Sequence, residues 1–129
     1  MMIKTSELIG AALDWAVAKC EGKNTTLMRN DDGSLFPNPV WEAGLWQQSH
    51  STNWAQGGPI IERERINVLR GNDLYFPKGN EKGDHYEELW LASKDSSRNI
   101  HGQTPLIAAM RCLIASKLGD EVDIPEGLL

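Results

Sequence analysis

The segment from Thr104 to Gly119 constrains this chain more than any other, because its apolar residues recur at helical spacing and both of its ends are marked. Thr104 supplies an N-cap oxygen, Pro105 stands at the first helical position, where a missing N–H costs nothing, and Gly119 follows Lys117 and Leu118 as a stop. Leu106, Ile107, Met110, Leu113, Ile114 and Leu118 form a broad apolar face, while Ala108, Ala109 and Ala115 let another element approach closely. Such a face has to be buried against the rest of the chain. The tail from Glu121 to Leu129 adds Val122, Ile124 and Leu128 as a final strand or extended arm.

A second helix is expected near the start, with Thr5 as N-cap, Glu7 in the first turn, and Leu8, Ile9, Ala12, Leu13, Ala16 and Cys20 repeating until Gly22. Trp15 lies beside that stripe, at the edge of the core or at a groove next to it. Between the two helices turn signals crowd together: Asp32-Gly33, Pro37-Asn38-Pro39, Gly57-Gly58-Pro59, Gly71-Asn72, Gly79-Asn80 and Gly83-Asp84. Short strands joined by loops fit that pattern, with candidates at Thr25 to Arg29, Ile66 to Leu69 and Leu89 to Ala92. Pro59 to Arg65 is the one stretch that reads alternatively as a short helix. No repeat, low-complexity tract or linker divides the chain, so residues 1–129 are read as a single domain. The expected class is α+β, with two helices, near the N- and C-termini, packed on a small, mostly antiparallel sheet with long loops.

Length and composition agree: 129 residues, 40% hydrophobic and 24% charged, are enough to bury one core without a partner. The net charge of -5 argues against affinity built on phosphate neutralisation, so direct nonspecific nucleic-acid binding is not expected. No apolar stretch is long enough for a membrane span or a signal peptide, which points to a cytoplasmic protein. Cys20 and Cys112 both fall in expected helices, outside any metal-ligand spacing, and read as buried thiols.

The segment WEAGLWQQSHSTNWAQGGP, from Trp41 to Pro59, is the most distinctive. Indole faces such as those of Trp46 and Trp54 stack flat ligands, Ser51, Thr52, Asn53 and Gln56 offer hydrogen bonds, and the backbone N–H groups near Gly57 and Gly58 could take an anion. Arg63 could reach a phosphate, although Glu62, Arg63, Glu64 and Arg65 more simply form a solvated, salt-bridged face. The bland alternative is that these tryptophans fill a core poor in other aromatics and the polar residues cap turns. His50 beside Ser51 suggests a hydrolase, but a nucleophile needs its base across a hydrogen bond in space, and sequence neighbours rarely supply that. His50, His85 and His101 with Asp73 and Asp84 could be drawn into a metal site, yet nothing in their spacing demands one. Arg111 interrupts the apolar face of its helix and is expected to bond neighbouring carbonyls or reach toward a pocket. With no Walker or dinucleotide glycine motif, no cofactor is implied, and the reading leans away from an enzyme.

Three stretches, TSELIGAALDWAVAKCEG, STNWAQGGPIIERERI and GQTPLIAAMRCLIASKLGDEVDIP, together resemble the NinX-type proteins of tailed bacteriophages and enterobacterial prophages. The span from Leu69 to Ile100 departs from that family's pattern, which has a shorter connection there. The resemblance implies a small phage accessory protein acting in an infected or lysogenic bacterial cell, with no catalytic residues or cofactor to carry over. Two functions follow from that setting: a modulator that binds a host or phage protein, or a protein that binds or sequesters a nucleotide-like small molecule. A homo-oligomer is compatible with either.

Overall fold

A computed structural model of the chain describes residues 1–22, 25–39, 50–70, 90–95 and 99–128. In chain order the elements are β1 (Met2–Lys4), a 3-10 turn (Thr5–Glu7), α1 (Gly10–Cys20), β2 (Thr25–Arg29), β3 (Leu35–Pro39), α2 (Trp54–Glu64), β4 (Ile66–Arg70), β5 (Trp90–Lys94), β6 (Ile100–Gly102), α3 (Pro105–Leu118), β7 (Glu121–Asp123) and a closing 3-10 turn (Glu126–Leu128). Among the described residues every strand pair is antiparallel: β1 with β7, β2 with β3, and β4, β5 and β6 in that order. The class is therefore α+β, as expected, but the described residues include a third helix and share their strands among three small sheets. None of the described helices is long and apolar enough to cross a membrane.

α3 is the centre of the molecule. The Ile107 N–H donates to Thr104 Oγ1 at 3.1 Å, and at the other end Gly119, with φ of 98°, donates its N–H to the Ala115 and Ile114 carbonyls. Leu106, Ile107, Met110, Leu113 and Ile114 are buried against α1 on one side and the β4–β5–β6 sheet on the other. The small residues act as expected: Ala108 and Ala109 are fully buried, and Gly102 lets the sheet approach the helix closely at Ala108.

The start of α1 differs from the sequence reading. Thr5 does not cap it; its hydroxyl donates to the Gly119 carbonyl at 2.6 Å and its N–H to the Asp120 carbonyl at 2.8 Å, so it ties the first residues to the end of α3. Chain direction is then reset at Gly10, whose φ is 62°, and α1 begins after an extended Ile9 with no side-chain cap. Ala12, Leu13, Ala16 and Val17 fill the core, while half-buried Trp15 carries Lys19 Nζ 5.1 Å above its ring. The tail begins as a strand, as one reading had it: β7 pairs with β1 and buries Val122, and Ile124 just after it is buried as well.

In the middle of the chain, the Asp32-Gly33 signal makes the β2–β3 turn, where Asp32 Oδ1 accepts from the N–H and hydroxyl of Ser34. Pro37-Asn38-Pro39, read as a turn, instead lies within β3, which among the described residues pairs only with β2, and an edge strand tolerates proline. The short helix expected over Pro59–Arg65 is longer and earlier, Trp54–Glu64. β4 and β5 lie within two residues of the expected strands.

Arg111 is a structural clamp. Its Nε donates to the Leu8 carbonyl at 2.8 Å and its Nη1 to the His101 carbonyl at 2.9 Å, joining α3 to the approach to α1 and to β6. Arg111→Met keeps the aliphatic stem and removes both charge-assisted bonds, so a loss of about 2 kcal/mol is expected. Urea denaturation would read it.

Candidate functional site

The residues between His50 and Gly58 form a polar turn running into the first turns of α2. Asn53 stops the preceding chain and starts the helix: its backbone is extended, its Oδ1 accepts from the Ala55 N–H at 2.8 Å, and its carbonyl accepts from Gln56 and Gly57. Thr52, Asn53 and Trp54 face solvent, with Trp54 57% exposed, whereas His50, Ser51 and Gly57 are buried and Gln56 and Gly58 half-buried. Gly57 is helical rather than a turn residue, and its own N–H is committed to the Asn53 carbonyl at 2.9 Å. A Cβ at this position would stand 2.5 Å from the His50 carbonyl oxygen and 2.6 Å from Leu106 Cδ2. Glycine is present here for close approach.

The turn is rooted in α1. The Ser51 N–H donates to Asp14 Oδ1 at 2.8 Å, a buried contact across the chain. Burial pushes the Asp14 carboxyl from an ordinary 3.8 up to about 6, against the opposing pull of Ser51. The Ser51 hydroxyl lies beside the same carboxylate and favours its ionised form, but meets no partner at full hydrogen-bonding geometry among the described residues. Sequence reasoning passed over Asp14. Its signal was a lone carboxylate between Leu13 and Trp15, within one turn of Ala12, Ala16 and Val17 on the apolar side of a helix.

The residues singled out from sequence do not all converge. Trp54 and Arg63 sit nine positions apart on α2, which is about 13 Å of axial rise and a half-turn out of phase. Arg63 is occupied: Nη1 and Nη2 donate to the two carboxylate oxygens of Glu21 at 3.0 and 2.6 Å, and Nε donates to Glu64 at 3.0 Å. Lys94 and Lys117 approach the same Glu64 at 3.6 and 3.7 Å, so the alternating charges become a network linking α1, α2, β5 and α3. The hydrogen bond from Arg63 leads in holding Glu64 below its usual range. Trp46 and Trp41 lie outside the described residues.

A separate cleft of about 670 Å³ opens on another side of α3, lined among others by Lys4, Ser6, His101, Cys112, Ser116 and Glu121. No residue of the 50–58 turn borders it. Burial pushes the Cys112 thiol up to about 11, and Cys20, which is only half-buried, likewise; both are free and held as unreactive thiols.

Ser51 is 2% and His50 4% exposed, so the adjacent pair is sealed from a substrate. Among the described residues no group of three His, Cys, Asp or Glu side chains is placed to hold a metal ion. His85, Asp73 and Asp84 lie outside those residues. What the turn does present is one large indole on a capped helix end, with Thr52 and Asn53 beside it. In comparisons with known proteins, the family described as Bacteriophage P22, NinX matches residues 4–117. No curated protein matches the chain.

Proposed function

The chain belongs to the bacteriophage P22 NinX family, and from that premise we propose that it is a non-catalytic accessory protein that binds a protein of the host or of the phage. The observation that carries this reading is Trp54. A tryptophan 57% exposed at the head of α2 is held in place by the Asn53 cap and, through Ser51, by Asp14. A rigid, amphipathic side chain of this size loses little entropy when a partner covers it, which is why tryptophan dominates interface hot spots. The net charge of -5 supports association with a basic partner by steering encounter. The site of action is the cytoplasm of an infected or lysogenic bacterium.

The test uses the full chain as bait in infected cells, followed by titration of the captured protein. Trp54→Ala is expected to leave the melting temperature nearly unchanged, since the indole is exposed, and to weaken binding by about 30-fold or more. Trp54→Phe retains part of the affinity. A partner held equally well by Trp54→Ala would remove the support for this reading.

One observation favours a second reading, binding of a nucleotide-like small molecule. The cleft beside Lys4 and His101 has the volume of an ordinary ligand site. A saturable thermal shift with a nucleotide, lost on Lys4→Ala and kept on Trp54→Ala, would support that reading over the first.

A further inference from the structure

We propose that the cleft beside α3 takes an unphosphorylated ribonucleoside, held by its base and its ribose hydroxyls, and that the charge of the cleft disfavours phosphorylated forms. The inference rests on the reading of this cleft as a small-molecule site and names the ligand class of that site.

The walls of the cleft are bonded together. They come from the end of β1 with the 3-10 turn, from β6 and the residue before it, from the second half of α3, and from the junction of α3 with β7. Thr5, itself 2% exposed, ties the first of these to the last: its hydroxyl donates to the Gly119 carbonyl at 2.6 Å and its N–H to the Asp120 carbonyl at 2.8 Å. Arg111 ties β6 to α3 by donating to the His101 carbonyl at 2.9 Å. Such a cleft exists before a ligand arrives, so binding does not have to order it. Its volume of about 670 Å³ accommodates a nucleoside.

The lining residues select the chemistry. Cys112 and Ala115, three positions apart on α3 and so on one face, join Ile100 in an apolar part that suits the face of a flat ring. The polar part has a definite sign. Lys4 offers donors only, Asp120 and Glu121 as carboxylates offer acceptors only, and the register of β1 on β7 sets Lys4 directly opposite Glu121. A ligand that satisfies all three brings O–H or N–H groups to the carboxylates, an acceptor to Lys4, and no strong negative charge. A ribonucleoside has each of these: adjacent 2′ and 3′ hydroxyls to donate, a base carbonyl or ring nitrogen to accept, and a flat base. A triphosphate brings several negative charges to a rim where two carboxylates stand against one lysine, and repulsion works against it.

Isothermal titration of the full chain with adenosine, guanosine, cytidine and uridine tests this, each beside its 5′-triphosphate and its 2′,3′-dideoxy form. At least one ribonucleoside is expected to bind, about 10-fold more tightly than its triphosphate at low salt, with the gap narrowing as salt screens the rim. The same ribonucleoside is expected to bind about 10-fold more tightly than its dideoxy form, because a carboxylate placed for a hydroxyl rejects the analogue that lacks it. Asp120→Asn with Glu121→Gln removes both charges at exposed positions, keeps the shape of the side chains and leaves the Asp120 carbonyl to Thr5; circular dichroism confirms that it folds. In that variant both preferences are expected to shrink to about twofold or less. The proposal is overturned, with the small-molecule reading intact, if triphosphates bind as tightly as nucleosides or more so, or if the double variant keeps either preference. If no nucleoside or nucleotide binds, the small-molecule reading and the proposal fall together.

Discussion

Gly102→Ala is expected to lower stability by about 3 kcal/mol, or about 10 °C in Tm for a chain of this length. The added Cβ would stand 2.6 Å from Ala108 N, 2.8 Å from Ile107 Cγ2 and 3.0 Å from Ala108 Cα. Two of these three atoms are backbone in the first turns of α3, which is fixed by the Thr104 cap and by buried residues on both sides, so the helix cannot yield locally. The alternative is for β6 to move outward, which would stretch the Arg111 bond to the His101 carbonyl. Gly58→Ala is the counterpart. There, among the described residues, a Cβ meets only Trp54 Cε3, at an ordinary 3.8 Å, and a glycine inside α2 is replaced by a better helix former. A gain of about 0.5 to 1 kcal/mol is expected. Opposite signs for the same chemical change, measured by urea denaturation, would confirm that Gly102 is there to let the sheet touch the helix. A loss under about 0.5 kcal/mol at Gly102 would mean that the contact is looser than described.

That pair of glycines shows which parts of the fold were legible in the sequence. α3 could be read at both ends because its signals are local: a Thr104 oxygen reaching three residues ahead, a proline at the first helical position, and a Gly119 free to take a positive φ. Thr5 carried the same kind of signal and misled, because its hydroxyl is claimed by Gly119, 114 positions away. Nothing near Thr5 in sequence reveals that competitor. Gly57-Gly58-Pro59 reads as a turn, with a helix possible only from Pro59 on, yet all three residues are helical, since Asn53 caps the start, Ile60 is buried, and Gly57 alone fits between the His50 backbone and Leu106. In the candidate site, the exposed Trp54 and its polar neighbours were legible as residue types with recognition chemistry. Their sorting was not: Ser51 anchors the turn from within, Arg63 is held by Glu21, and Asp14 becomes important only because α1 brings it under a segment 37 residues later.

Asp14 makes stability depend on pH in a direction opposite to that of most carboxylates. In the unfolded chain it releases its proton near 3.8, and in the folded chain burial delays release to about 6. Between those values the folded state binds more protons, so stability falls as pH rises through the window; above pH 6 the whole penalty is present, and below 3.8 none of it. The gap corresponds to about 3 kcal/mol, an order-of-magnitude figure. Asp14→Asn removes the ionisation while its amide oxygen still accepts the Ser51 N–H, and the new NH2 can donate to the Ser51 hydroxyl, which meets no other partner at full geometry among the described residues. The variant should therefore match the natural chain near pH 4 and exceed it by up to about 3 kcal/mol at pH 7.5, with the difference developing between pH 4 and 6 in parallel urea titrations. An equal slope in both proteins would show that another group is titrating. The natural chain thus keeps, at neutral pH, a carboxylate that costs it stability at the root of the turn that presents Trp54. Carboxylates whose proton affinity is raised by burial are concentrated at functional sites, and binding by the Asp14→Asn protein tests whether this one belongs there. If the more stable Asp14→Asn protein binds the Trp54-dependent partner more weakly, the charge belongs to the binding surface; if it binds as well, Asp14 only anchors the turn.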